Sequence, residues 1–64
     1  MRNWRTGTLG YWDRMPNGNH VFEPNLNGAV QMVEVMDDTG NEATVVQEVD
    51  EEGFTVLVWR VQID

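Results

Sequence analysis

The second half of the chain alternates apolar and polar positions as a half-buried strand does. In residues 42–49 (EATVVQEV), Ala43, Val45 and Val49 fall on one side, with Glu42, Thr44 and Glu48 on the other. This period of two predicts a strand. Residues 54–63 (FTVLVWRVQI) predict a denser one. Leu57, Trp59, Val61 and Ile63 share one side, and Phe54, Val56 and Val58 share the other, followed by the polar Arg60 and Gln62. Residues 29–36 (AVQMVEVM) are rich in Val and Met and predict a third strand. Helix is the weaker alternative there, because Val density and the flanking turns disfavour it. Asp37–Asn41 (DDTGN) and Asp50–Gly53 (DEEG) supply the glycine and Asx residues of tight hairpins. Three strands joined by two short connections predict an antiparallel meander.

The first half is less regular. Trp4–Trp12 (WRTGTLGYW) interrupts aromatic and β-branched residues with Gly7 and Gly10, as in a strand with a kink or bulge, or an extended arm. Residues 13–19 form a loop around Pro16 and Asn17-Gly18, His20–Glu23 a short strand, and Pro24–Gly28 (PNLNG) a further turn. The expected fold class is therefore all-β. It is a small antiparallel sheet or an SH3- or OB-like barrel, with a C-terminal three-stranded meander and an extended N-terminal arm. Residues 1–14 are a basic aromatic arm or first strand, and residues 15–64 an acidic β domain.

The last strand is apolar on both sides from Phe54 to Trp59, whereas a lone sheet buries one face. Either the first half of the chain covers the second face, with Trp4, Leu9, Tyr11 and Trp12 as candidates, or another chain does. Phe54, Val56, Val58 and Trp59 are accordingly the expected core or self-association face.

Composition sharpens this. Sixty-four residues hold one core, and a chain this short is only marginally stable alone. Small domains usually add a disulfide, a metal or a partner. There is no cysteine and one histidine, His20, so a partner is the remaining staple. All four bases are arginine, and serine is absent as well. Ser and Cys triads, Schiff-base chemistry and a P-loop lysine are thereby excluded. No catalytic, cofactor-binding or metal-ligating residue is assigned, and no enzyme is expected. Neither a signal peptide nor a transmembrane segment is expected, since the longest unbroken apolar run is Val56–Trp59.

The net charge of −7 is unevenly placed. Residues 1–14 carry Arg2, Arg5 and Arg14 against Asp13; residues 15–64 carry ten acids against Arg60. This is either an ordinary solvated acidic surface or a basic arm made to dock on acidic protein surface. Arg2, Trp4, Arg5, Trp12 and Arg14 are the candidate partner contacts. Trp4 is the foremost, lying between two arginines, although tryptophans in so small a protein usually serve the core. His20 is an ordinary structural or exposed histidine. Asp37–Glu42 (DDTGNE) lacks EF-hand spacing, so a turn is the simpler reading than a cation loop. Asp50–Glu52 is a solvated turn whose charge also blocks edge pairing. The acidic body raises a DNA-mimic inhibitor of a nucleic-acid enzyme as the alternative function. Direct nucleic-acid binding is opposed by the net charge.

The stretch from His20 to Trp59 resembles small β-domains of bacteriophage structural proteins, of decoration (cement) or fibre type. The matching pieces are His20, Val30–Met36, Asp38-Thr39-Gly40-Asn41, Val45–Val49 and Phe54–Val58. Pro24–Gly28 replaces a shorter turn of that pattern. The resemblance implies a virion component made in the host cytoplasm and carried on the capsid surface. Its partner would be the major capsid protein, and it would be a homo-oligomer, a trimer favoured, binding neither nucleic acid directly nor membrane.

Overall fold

The computed structural model describes residues 3–63. Four strands and one helix follow in the order β1 (Trp4–Arg14), β2 (His20–Pro24), α1 (Leu26–Thr39), β3 (Thr44–Val49) and β4 (Thr55–Gln62). The strands form one open antiparallel sheet in the order β2-β1-β4-β3. The fold is mostly β, in the form of a small open sheet rather than a closed barrel. Residues 4–14 take the strand alternative: β1 pairs with β4 on one side and β2 on the other.

Turn chemistry sets the two hairpins. After β1, the Gly18 N–H donates to Met15 O at 2.9 Å, and the Asn19 N–H to Asn17 Oδ1 at 3.0 Å. After β3, Asp50 Oδ1 accepts from the Glu52 and Phe54 N–H groups, and Gly53 takes φ +90°. That left-handed value is open to glycine at little steric cost.

The meander expected over 29–63 is corrected at its first strand, because residues 29–36 lie inside the helix. Local propensity loses to capping and packing. The Asn25 side chain accepts from the Gly28 N–H at 3.3 Å as N-cap. At the other end Gly40, at φ +73°, donates its N–H to Met36 O, a left-handed helix stop. The glycine and Asx residues expected to make a hairpin at 37–41 end the helix instead, and Pro24–Gly28 starts it. Gly28, Met32, Val35 and Met36 then recur at helical spacing on the side facing the sheet.

A bulge fixes where the helix lands. The register of β1 against β4 slips between Thr8 and Gly10, so Leu9 is the extra residue. The Leu9 carbonyl accepts the Asn25 N–H at 2.8 Å, and Asn25 Nδ2 donates to Thr8 Oγ1 at 2.9 Å. Asn25 thus ties the helix start to the bulge. Asn25→Ala is expected to cost about 1–2 kcal/mol, from the lost cap and the lost strand contacts. An unchanged thermal midpoint would show that neither contributes.

The core lies between α1 and one face of β1 and β4. Val35, Trp59 and Val61 are buried, and Leu9, Met32, Met36 and Ala43 pack around them. The face of the last strand that carries Trp59 and Val61 is covered by α1, from the segment expected as a strand, and the first half does not close over the face of Phe54, Val56 and Val58. Of Trp4, Leu9, Tyr11 and Trp12, Leu9 alone packs against the core cluster. The molecule remains thin, 44 × 22 × 13 Å.

Candidate functional site: the open face of the sheet

Strand alternation and register decide which side chains share a face. Trp59 and Val61 face the helix, so Val56, Val58, Arg60 and Gln62 face away. Their cross-strand partners on β1 are Tyr11, Thr8, Thr6 and Trp4; on β3, Glu48, Val46 and Thr44 stand opposite Val56, Val58 and Arg60. Among the described residues, no element covers this second face.

Its centre is apolar and aromatic. Val58 is buried by its strand neighbours alone, at 9% exposure. Phe54 and Val56 are half-buried. Tyr11 packs edge-on against Phe54, with ring centroids 6.0 Å apart. Trp4 is 52% exposed at one end of the face. The Arg60 guanidinium lies 3.3 Å from the Glu48 carboxylate, both about half exposed. So exposed a pair contributes at most about 1 kcal/mol. Glu48→Gln is therefore expected to leave chemical denaturation unchanged within about 1 kcal/mol.

A groove of about 540 Å³ opens beside Tyr11 and Phe54, with Glu23, Asp50 and Glu52 on its walls. The walls carry three carboxylates and no basic side chain. An apolar floor edged by acids suits an apolar partner surface that presents a basic side chain.

The residues expected to contact a partner are not all brought together. Trp4 shares the open face with Phe54, Val56 and Val58. Arg5, Trp12 and Arg14, opposite Val61, Thr55 and His20, lie on the helix side. Trp12 packs against Phe22 with the rings tilted and their centroids 5.1 Å apart. Trp59 belongs to the covered core, apart from Phe54, Val56 and Val58. Arg2 lies outside the described residues. Tyr11, expected among the possible covers of the core, lies instead on the open face beside Phe54 and Val56.

Among the described residues, no three His, Cys, Asp or Glu side chains converge to hold a metal ion. No helix among them is long and apolar enough to cross a membrane. Comparison with protein-family models, with curated proteins and with solved structures found no match to this chain.

Proposed function

We propose that the chain is a non-enzymatic structural protein of a bacteriophage virion, a decoration or cement protein that holds capsid subunits together. The observation that carries this reading is the uncovered aromatic and apolar face of the sheet. Tyr11, Phe54 and Val56 at one end and Trp4 at the other, with Val58, Thr6, Thr8 and Arg60 between them, share one face of a slab 13 Å thick, suited to lying across a junction between subunits. Aromatic side chains dominate such contacts because each removes a large area from water. The acidic groove beside Tyr11 and Phe54 would take an arginine or lysine of the capsid protein. Self-association would add the stability that one small core lacks.

The test is co-sedimentation with shells assembled from a major capsid protein encoded in the same genome. Binding is expected, with Trp4→Ala and Tyr11→Ala each weakening it about tenfold or more, as for buried aromatic contacts worth over 1.4 kcal/mol. Point substitutions are required, because β1 is an inner strand and its deletion would destroy the sheet. A genome without a capsid protein, or shells that leave the chain in the supernatant, would end the proposal.

A further inference from the structure

The two edges of the sheet differ. β2 ends in Pro24, which has no N–H to offer, and leads directly into the helix cap at Asn25. β3 (TVVQEV) has no proline, no bulge and no lysine. Its one charge, Glu48, is paired to Arg60. The strand itself carries none of the usual guards against edge pairing; the acids of Asp50–Glu52 expected to block pairing lie beyond its end, in the turn.

The hydrogen-bond phase shows which groups are free. The Asp50 N–H donates to Phe54 O at 2.9 Å. Hydrogen-bonded pairs in an antiparallel ladder recur every second residue. So 44, 46 and 48 turn their backbone groups toward β4, and 45, 47 and 49 turn theirs outward. The other side of β4 agrees, since the Ile63 N–H donates to Asn3 O, toward β1. The outward set is symmetric about Gln47. Val45 and Val49 are also exposed on the helix side, at 47% and 70%, where α1 packs over β1 and β4 only.

We infer that β3 pairs with β3 of a second copy, antiparallel and centred on Gln47, to make a continuous eight-stranded sheet about a two-fold axis. Gln47 faces its counterpart and Val45 faces Val49 of the other copy, so each outward N–H and C=O finds a partner. On the other face Glu48 lies opposite Val46 of the other copy, so no two like charges stand directly opposite within β3; beyond its ends the same register brings Glu42 level with Glu52 of the other copy, where both chains have left the strand. Both helices come to the same side, flanking a floor of four valines.

The chain exposes more surface than a compact one of its mass, 4893 Å² against about 4,200 Å², and the exposed Val45 and Val49 beside the bare edge are apolar surface that a second copy would cover. The inference rests on the self-association part of the reading above and replaces the trimer with a dimer.

Light scattering on the full chain should give twice its 7.4 kDa mass, with Val45, Gln47 and Val49 amides protected from exchange. Gln47→Pro removes one outward N–H and no bond to β4. It should yield a folded monomer with the circular dichroism of the parent and fast exchange at Val45 and Val49. A second probe uses the absence of cysteine. Gln47→Cys should be captured as a cross-linked dimer by a short bis-maleimide, since hydrogen-bonded pairs place Cα atoms about 5.5 Å apart. Three results would overturn the interface: a wild-type monomer at millimolar concentration, a trimer, or Gln47→Pro that still associates. The last leaves self-association intact and removes only β3 as its seat.

Discussion

Gly28→Ala is expected to unfold the domain or lower its thermal midpoint by at least about 12 °C. A Cβ built on Gly28 falls 1.7 Å from the Thr8 carbonyl oxygen. That oxygen is backbone, in the bulge to which Asn25 anchors the helix, so no rotamer change can make room. The first turn of α1 must lift from β1. Lifting opens the contacts of Met32 and Val35 with Trp59, and it pulls Asn25 from Thr8 and Leu9. Overpacking of this kind costs about 3 kcal/mol at the upper end of its usual range, and each kcal/mol shifts the midpoint of a domain this size by roughly 4–8 °C. Gly40→Ala is the control. It has open space around it, and only its φ of +73° is strained, so a loss of about 1 kcal/mol is expected. Circular dichroism melts of the two variants should separate widely. Equal, small shifts would mean that the helix does not approach β1 so closely.

The same junction explains what the sequence disclosed and what it concealed. Alternation in 42–49 and 54–63 was legible because both strands lie flat in the sheet with no insertion. The kink in β1 was legible too, since Gly7 and Gly10 interrupt an otherwise β-prone run. Its consequence was not. Strict alternation from Trp4 places Trp12 on the same face and Tyr11 on the other. The extra residue at Leu9 reverses the order, so Tyr11 joins Trp4 and Trp12 crosses to the helix side. A candidate contact set built on Trp4 and Trp12 together was thus divided by one residue. The helix was concealed for a different reason. Its valines obey β propensity locally, and three exposed apolar positions, Leu26, Val30 and Val33, blur its amphipathic pattern. Gly40 and Asn25 pointed to chain reversals without saying that the segment between them coils.

The open face and the free β3 edge can serve different partners at once. Pairing through β3 uses the rim of the sheet and leaves Trp4, Tyr11 and Phe54 uncovered. In a two-fold dimer those open faces lie on the same side of one twisted sheet, so both can be offered to a partner assembly at once. Linked contacts of this kind raise binding strength without any new contact chemistry, provided both engage together. A variant confined to one copy, such as Gln47→Pro, should then bind capsid shells more weakly than the parent even with its open face unchanged.

Trp59→Ala is expected to leave no folded protein at 25 °C, whereas Trp59→Phe should fold nearly as well as the parent. Trp59 is 1% exposed and is the largest buried side chain among the described residues. It spans the layer between Gly7 and the helix. A Cβ at Gly7 would come within 2.6–2.7 Å of its Cζ2, Cε2 and Nε1 atoms, so the indole lies on bare backbone. Truncation to alanine removes about 3–5 kcal/mol, which matches or exceeds the roughly 3–5 kcal/mol that a core in a domain this small supplies. The aromatic replacement behaves otherwise because the indole carries a liability. Its Nε1–H is buried with no hydrogen-bond partner among the described residues, and an orphaned donor costs about 1–3 kcal/mol. Phenylalanine loses area and leaves a small cavity, but it also removes that donor, and the two effects nearly offset. Urea unfolding of the three proteins decides the matter: a Phe variant as damaged as the Ala variant would show that the indole N–H is satisfied, by water for instance, and that shape alone holds this core.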